Sequence, residues 1–259
     1  MGFMVWPCTL GSRSVLERAE HVLIGLSPWN SYYKPRRVEA LVQWACANFV
    51  RVDVFVPGDE AAHTLTAAGV QPSEAVRRAR YAVGRLRSPA RRGLRNAGVA
   101  DPEHHLHTWT QLSERPAYQH SLKRVRDAYH TDQAVRGACR RTARGAVRRV
   151  AGQEPTEEQI DHAVGYALAE LPLVLDGPAI FGTASSLFVY HREMDLLAPF
   201  INGESARLRP APGQGYAVVR PPDQDAMPAS LSRPWPEGRA TPPAGDYSTG
   251  SPPNPLLRP

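Results

Sequence analysis

A short apolar run that ends in a serine constrains the fold of this chain more than any other feature. The run His21-Val22-Leu23-Ile24-Gly25-Leu26-Ser27 is typical of a buried parallel strand that ends in small residues. Pro35 then opens a helix with apolar residues along one face, and residues 50–58 form a second strand with a turn after it. This strand–helix–strand unit predicts an α/β fold, with a central parallel sheet flanked by helices and a right-handed crossover.

Composition sets limits around this predicted sheet. Of the 259 residues, 42% are apolar and 22% are charged, which is ordinary for a soluble globular protein. Eleven of the last 39 residues are prolines, so residues 221–259 are predicted to form a disordered tail. We expect a flexible lead over residues 1–14 and a single folded domain over residues 15–220.

Several classes of protein are excluded by what the sequence lacks. No apolar run approaches the roughly 18 residues of a membrane-spanning helix, and the first residues lack the basic segment of a secretory signal. We therefore expect a cytoplasmic protein without a membrane partner. Cys8, Cys46 and Cys139 form no C-x-x-C pair, which argues against a disulfide framework or a cysteine-rich zinc site. His104-His105-x-His107 is a weak zinc candidate, and no metal is predicted.

Positive charge is concentrated in the middle of the chain. The net charge is +6, but residues 77–149 contain 18 Lys and Arg against 5 Asp and Glu, and almost all of these cations are arginines. A solvated helix surface explains any single arginine, whereas the whole block favours a polyanionic partner, above all a nucleic acid. Aromatic residues are sparse in the block, which favours contacts to phosphates over stacking on successive bases.

Ser27 lies at the carboxyl end of the first strand, where open α/β sheets bind their ligands. Its hydroxyl is a candidate nucleophile; the alternative is that it caps the helix that follows. The chain has no G-x-S-x-G elbow and no obvious His and Asp for Ser27 in the usual order. A standard serine hydrolase is therefore disfavoured.

Two further patterns bring polar side chains together. Tyr166 and Glu170 are four residues apart on a predicted helix, so both project from one face beside Pro172, which stops the helix. A carboxylate beside a phenol holds an ammonium group, or takes a proton from it if the carboxyl pKa is raised. The alternative is an ordinary surface glutamate and a half-buried tyrosine. Tyr190-His191 closes a late strand, where a histidine alone is more often structural than catalytic.

Together these patterns resemble the signatures of the cyclodipeptide synthases. The family's His-x-aliphatic-aliphatic-Gly-aliphatic-Ser strand matches residues 21–27. Its Tyr-aliphatic-x-x-Glu-x-Pro helix matches residues 166–172, with Ala167 in place of a larger aliphatic residue. Asn30 and the Tyr190-His191 pair are similar to the Asn/Tyr/His subgroup. The resemblance spans about residues 20–205 and includes the arginine-rich helices between the motifs.

The resemblance implies a single Rossmann-like domain, similar to the catalytic domain of class I Tyr- and Trp-tRNA synthetases. Such enzymes convert two aminoacyl-tRNAs into a cyclic dipeptide, a 2,5-diketopiperazine. The substrates arrive as activated esters, so neither ATP nor a metal nor another cofactor is expected, and no HIGH- or KMSKS-like sequence is present. The protein is expected to be a monomer whose product passes to tailoring enzymes.

The same resemblance implies ping-pong chemistry with a role for each motif residue. Ser27 attacks the first ester and forms an aminoacyl-enzyme, and Glu170 and Tyr166 anchor the ammonium of that group. The amine of the second aminoacyl-tRNA then attacks and gives a dipeptidyl-enzyme. Cyclisation expels Ser27, with Tyr190 relaying protons.

Other residues are expected to shape the site or to bind RNA. Asn30 and His191 orient the site through hydrogen bonds. The pocket for the first aminoacyl group is expected to be lined by Leu23, Leu173 and Phe188. A polar side chain would be buried there without a partner, so hydrophobic amino acids are expected. Phosphates of tRNA are expected to contact Arg77, Arg78, Arg80, Arg85, Arg87, Arg91, Arg92 and Arg95, with an extension over Arg124, Arg126, Arg140, Arg141, Arg144, Arg148 and Arg149.

Two other functions remain open on the sequence alone. A non-catalytic tRNA- or RNA-binding module needs only the arginines, and a Ser27→Ala protein that binds tRNA but makes nothing separates it from the enzyme. A serine hydrolase on an α/β sheet needs a histidine and an acid for Ser27. Esterase activity that is lost on RNase treatment excludes this hydrolase.

Overall fold

The strand–helix–strand unit near the N-terminus forms the centre of a six-stranded sheet in the computed structural model, which describes residues 2–222. The strands are β1 (Met4–Pro7), β2 (His21–Gly25), β3 (Arg51–Phe55), β4 (Leu106–His107), β5 (Ser186–Tyr190) and β6 (Gln214–Arg220). The helices are α1 (Leu10–Arg18), α2 (Pro35–Asn48), α3 (Ala62–Ala67), α4 (Pro72–Asn96), α5 (Trp109–Ser113), α6 (Pro116–Thr131), α7 (Gln133–Ala151), α8 (Glu157–Leu175), α9 (Gly177–Phe181) and α10 (Ala198–Ile201). Residues 223–259, which belong to the predicted tail, lie outside the described residues.

The sheet is parallel except at one edge. The strand order is β1-β6-β5-β2-β3-β4, and only β1, among the described strands, runs antiparallel to its neighbour. The predicted α/β class with a central parallel sheet flanked by helices is confirmed. Every residue of β2 is buried, as expected of a strand with helices on both of its faces.

The alternation of side chains along β2 divides the core into two layers. Val22 and Ile24 pack in a cluster with apolar residues of α2 and α4. Leu23, which points to the opposite face, packs in a second cluster with residues of α6, α7 and α8. The arginine-rich α4 and α7 therefore cover opposite faces of one sheet.

The N-terminal residues differ from the expected flexible lead. Met4–Pro7 form the edge strand β1, which pairs with β6 from Met4 opposite Arg220 to Pro7 opposite Ala217. The Thr9 hydroxyl accepts a hydrogen bond from the Ser12 amide at 2.9 Å and so caps α1. A four-residue edge strand that ends in proline is too short to show a periodic pattern. Its partner strand lies more than 200 residues away, so the pairing is not visible in the local sequence either.

Short elements lie further along the chain. Trp109 opens the short helix α5, which is capped by Thr108 and Gln111. The strand beside it, β4, contains only two residues. Residues 192–197 form a loop beside the end of β5, and α10 follows them.

Candidate active site

The candidate site lies where the strand order of the sheet reverses. From β2 the chain moves outward to β3 and β4, and it then returns to the other side of β2 with β5 and β6. Ser27 follows the end of β2 by two residues, and Tyr190 ends β5, its parallel neighbour. Ligands of open α/β sheets bind at such a switch point, beyond the carboxyl ends of the strands.

Four predicted residues line one cavity of about 220 Å³ at this point: Ser27, Tyr166, Glu170 and Tyr190. Its apolar wall includes Leu26, Phe55, Met194 and Leu196. Its charged rim is formed by Arg141, Arg149, Arg192, Glu193 and Asp195. The cavity thus combines these polar groups with one apolar wall and a charged rim.

The serine lies close to a phenol. The Ser27 hydroxyl lies within hydrogen-bonding reach of the Tyr190 phenol. Asn30 Nδ2 donates to the Tyr190 oxygen at 3.5 Å and to His191 Nε2 at 3.3 Å. Among the described residues, no histidine hydrogen-bonds to Ser27, so the arrangement that a serine hydrolase requires is not assembled here.

A chain of hydrogen bonds sets the tautomer of His191. Since Asn30 donates to Nε2, the proton is on Nδ1, which donates to the Tyr33 oxygen at 3.3 Å. Tyr33 in turn donates to the Gly25 carbonyl at 2.9 Å. Burial and the nearby arginines, Arg192 first among them, lower the pKa of His191 to about 3. His191 is therefore neutral at physiological pH and orients Asn30.

Tyr33 belongs to this site and was missed by the sequence analysis. Its hydroxyl connects His191 to the end of β2, and burial raises its pKa well above the usual value, so it stays protonated. The available signal was the pair Tyr32-Tyr33 between Asn30 and the helix start at Pro35. Tyr32 stacks on the His191 ring at 4.6 Å.

Helix α8 brings Glu170 and Tyr166 to the cavity. Thr156 and Gln159 form a capping box that sets the start of α8, and the four-residue spacing then places both side chains on one face. Burial raises the pKa of Glu170 to about 7, and no described residue donates a hydrogen bond to its carboxylate. The Tyr166 ring packs edge-on against Trp109 at 5.9 Å, and burial raises its pKa well above the usual value.

The three residues predicted to line the substrate pocket lie elsewhere. Leu23, Leu173 and Phe188 are almost fully buried in the core and do not line the cavity. The Phe188 ring packs so closely on Gly25 that a Cβ there would lie 2.8 Å from it. These side chains pack in the core cluster between the sheet and the helices α6, α7 and α8. They therefore do not reach past the strand ends, where the cavity lies.

The histidines outside the site surround a buried carboxylate. His21 Nε2 and His107 Nε2 lie 3.1 and 2.7 Å from the two carboxylate oxygens of Asp53, and Arg51 Nε lies 2.7 Å from one of them. His21 Nδ1 is also 2.9 Å from the Ser186 hydroxyl. His21 thus belongs to a buried hydrogen-bond network apart from the cavity. In residues 2–222 no group of three or more His, Cys, Asp or Glu is arranged to hold a metal ion.

The eight predicted tRNA-contacting arginines all lie on α4, but most have acidic partners. Seven are exposed and Arg87 is half-buried. Arg77 and Arg78 pair with Glu74, and Arg80 pairs with Asp59. The further pairs are Arg87 and Arg91 with Glu103, and Arg92 with Glu39. Within the described residues, Arg85 and Arg95 have no carboxylate within ion-pair distance. Exposed pairs of this kind are weak, so phosphates can replace the carboxylates.

The arginines of α7 divide into two sets. Arg140, Arg144 and Arg148 pair with the acids that precede or begin α8: Glu154, Glu157 and Asp161. Arg141 and Arg149 instead line the cavity. No helix among the described residues is long and apolar enough to span a membrane.

Fold and site together define a class: a Rossmann-like α/β enzyme with a serine at the switch point of its sheet. The family profile described as cyclodipeptide synthase matches residues 3–221. Cyclo(L-leucyl-L-leucyl) synthase of Bacillus subtilis is 35% identical over 225 residues, which are 84% of this chain and 89% of that protein. Cyclo(L-leucyl-L-phenylalanyl) synthase of Streptomyces noursei is 32% identical over 81% of this chain and 88% of that protein.

Solved structures agree with these relatives. A cyclodipeptide synthase from Bacillus thermoamylovorans superposes with a TM-score of 0.79 at 28% identity, covering 84% of this chain and 96% of that one. A Mycobacterium tuberculosis protein, described as showing that cyclodipeptide synthetases are related to type I tRNA synthetases, superposes with a TM-score of 0.73 at 29% identity over 85% of this chain and 94% of that one. This chain belongs to the cyclodipeptide synthase family and is a tRNA-dependent aminoacyltransferase.

Proposed function

We propose that this cyclodipeptide synthase joins two aminoacyl groups, each delivered by a tRNA, through ester intermediates on Ser27. The observation that supports the proposal most is the convergence of Ser27, Tyr190, Tyr166 and Glu170 on one cavity at the switch point. The Ser27 hydroxyl faces the phenol of Tyr190, and a carboxylate with a pKa of about 7 lines the same space.

In the first step the Ser27 oxygen attacks the carbonyl of the first aminoacyl ester. A serine ester forms, the bond to the tRNA ribose breaks, and the serine proton passes to the departing ribose oxygen. The ammonium of the bound aminoacyl group lies against Glu170 and Tyr166. Glu170, with its pKa near neutrality, accepts a proton from this ammonium and leaves a free amine.

Atom balance identifies the amine that attacks in the second step. If the amine of the second aminoacyl-tRNA attacked the Ser27 ester, Ser27 would be freed and the dipeptide would remain on the tRNA. This attack therefore cannot give the expected dipeptidyl-enzyme. The free amine of the Ser27-bound group therefore attacks the second ester, forms the peptide bond and releases the second tRNA. The new terminal amine then attacks the Ser27 ester, the ring closes, and Tyr190 returns the amine proton to the serine oxygen.

The apolar wall of the cavity favours hydrophobic amino acids. Leu26, Phe55, Met194 and Leu196 contribute to it, and an apolar substrate side chain that packs against them is removed from water. Relatives of this chain are named for leucyl, phenylalanyl and tyrosyl products. We propose a substrate pair from this chemical class.

Mass spectrometry of medium from bacteria that express the chain tests this function. We expect new diketopiperazine masses that are absent with Ser27→Ala, and an aminoacyl adduct on Ser27 when the purified enzyme meets one charged tRNA. Products from the Ser27→Ala protein would contradict the ester mechanism. RNA binding with neither products nor adduct would instead favour a binding module, and ester hydrolysis that resists RNase would favour a hydrolase.

A further inference from the structure

Trp29, two residues after the proposed nucleophile, has a backbone conformation that large side chains rarely adopt. Its φ angle is +56°, in the left-handed region that favours glycine. The side chain is 37% exposed and is not part of the apolar core clusters among the described residues. Strained backbone of this kind clusters at active sites and ligand contacts.

Trp29 forms one end of a groove with a second exposed aromatic residue. Tyr81, on α4, is 69% exposed and lines a groove of about 530 Å³ together with Trp29, Arg77, Arg78 and Arg149. Aromatic faces and guanidinium groups in one groove match a single-stranded nucleic acid, because bases stack on the rings and phosphates accept from the arginines.

The groove is continuous with the catalytic cavity. A narrow passage lined by Ser27, Thr64 and Tyr166 of the cavity also contacts Trp29 and Arg149 of the groove. Arg149 therefore lines the cavity, the passage and the groove.

Arg149 is also available for a phosphate. Its neighbours on α7, Arg144 and Arg148, form ion pairs with glutamates. Arg149 has no carboxylate within ion-pair distance among residues 2–222. The Arg149 guanidinium, which has no carboxylate partner among the described residues, thus lies between the reaction centre and the two exposed rings.

We propose that this groove binds the unpaired 3′-terminal nucleotides of the aminoacyl-tRNA whose ester Ser27 attacks, with Trp29 and Tyr81 stacking on bases and Arg149 contacting a phosphate. The proposal rests on the proposed function, because the ester is carried on the terminal ribose. With that ribose at Ser27, the adjoining nucleotides leave through the passage that opens beside it. Stacking accepts any base, so the groove serves tRNAs that differ in their amino acid.

The test measures RNA binding in the Ser27→Ala background, where no acyl transfer occurs. Two uncharged RNAs are compared: an intact tRNA and the same tRNA without its unpaired 3′-terminal nucleotides. We expect the intact tRNA to bind about 100-fold more tightly, since two stacked bases each contribute about ten-fold. Adding Trp29→Gly and Tyr81→Ala should reduce the affinity for intact tRNA to that for the shortened tRNA, and leave the latter unchanged.

Conservative variants separate stacking from damage to the fold. Glycine suits the positive φ of residue 29, so Trp29→Gly removes the ring without adding strain. Trp29→Phe and Tyr81→Phe keep aromatic rings and should retain most of the discrimination between the two RNAs. An exposed apolar control on α1, Leu10→Ala, should leave both affinities as they were.

Two results would overturn the assignment. If the parent binds intact and shortened tRNA equally, or if the double variant weakens both equally, the groove does not hold the 3′ end, while product formation by the wild-type chain still supports the proposed function. If the parent binds neither RNA and the wild-type chain makes no diketopiperazine, the proposed function fails and the groove assignment fails with it.

Discussion

The surroundings of Glu170 and of His191 shift the pKa values of these two residues in opposite directions. Burial raises the pKa of Glu170 to about 7, whereas burial and nearby arginines lower that of His191 to about 3. Between pH 5 and pH 8, Glu170 changes its charge and His191 stays neutral. The pH response of the enzyme in this range therefore reports Glu170 rather than the histidine.

We predict that kcat/KM for cyclic dipeptide formation rises as pH increases through about 7, because the ionised Glu170 carboxylate binds the substrate ammonium. Glu170→Gln should lower kcat/KM about 100-fold at pH 8, a typical loss for a positioned acid–base group. It should also remove that part of the pH dependence and leave only the titration of the substrate amine. Steady-state rates between pH 5.5 and pH 8.5 measure both. An unchanged profile in Glu170→Gln would contradict the assignment.

Stability provides the control for this variant. A carboxyl group whose pKa is raised by folding contributes full stability below its unfolded pKa, and this contribution is lost as pH rises through the folded value of about 7. At pH 8, Glu170→Gln should therefore unfold at a higher urea concentration than the wild type, with a free energy of unfolding up to about 3 kcal/mol larger. Near pH 4 the two proteins should have the same free energy of unfolding. A variant that is more stable yet inactive has lost a functional group, not its fold.

Two helices with similar composition use their arginines differently. On α7, Arg140 and Arg144 link the helix to α8 through Glu157. On α4, Arg78 lines the groove beside Trp29 and Tyr81, and Arg85 lies over the Tyr81 ring at 5.8 Å. Arginines that already join two helices contribute to packing, whereas those on the open face of α4 are available to phosphates.

We predict that Arg78→Ala with Arg85→Ala lowers the salt dependence of tRNA binding. Each lost phosphate contact removes about 0.7–0.9 from the slope of log K against log salt, so the pair removes roughly 1.5. Filter binding between 50 and 300 mM salt measures the slope. The Debye length falls by about two-fold over this range. The matched pair Arg140→Ala with Arg144→Ala removes the same charge and should leave the slope nearly unchanged. Equal effects would show that ion pairs between helices do not decide which arginines bind tRNA.

At the scale of the whole molecule, one buried carboxylate joins the strands on which the site depends. Asp53 of β3 contacts His21 of β2, His107 of β4 and Arg51 of its own strand. His21 also contacts Ser186 of β5, so the network crosses four adjacent strands. The relative positions of β2 and β5, and with them the distance from Ser27 to Tyr190, depend on this network.

We predict that Asp53→Ala destabilises the fold by about 3–5 kcal/mol at pH 7, because it leaves a buried charged cluster without its anion. These contacts hold the pKa of Asp53 far below its usual range. A depressed carboxyl pKa gives stability that is fully present above the unfolded value of roughly 4 and is lost progressively as pH falls from there through the folded value. Urea unfolding at pH 7 and at about pH 2.5 should therefore show a smaller difference at the lower pH. A loss under 1 kcal/mol at pH 7 would contradict this role.

Local patterns in the sequence were sufficient to predict several parts of the site. The apolar run before Ser27 indicates a strand end, and the four-residue spacing of Tyr166 and Glu170 indicates a shared helix face. Both are set by backbone geometry within a few residues, so no distant contact is needed to predict them. The α/β class followed from the same local alternation of strand and helix.

The tertiary structure decided which of these elements meet. It placed β5 beside β2 although about 160 residues separate them, it assigned β1 to the sheet edge, and it buried Leu23 and Phe188 in the core instead of the cavity. It also gave four arginines of α4 acidic partners from other segments and positioned Trp29 at a groove. A residue's own periodicity determines which face it occupies, but what covers that face depends on contacts between segments far apart in the chain, and these are decided only when the whole core packs.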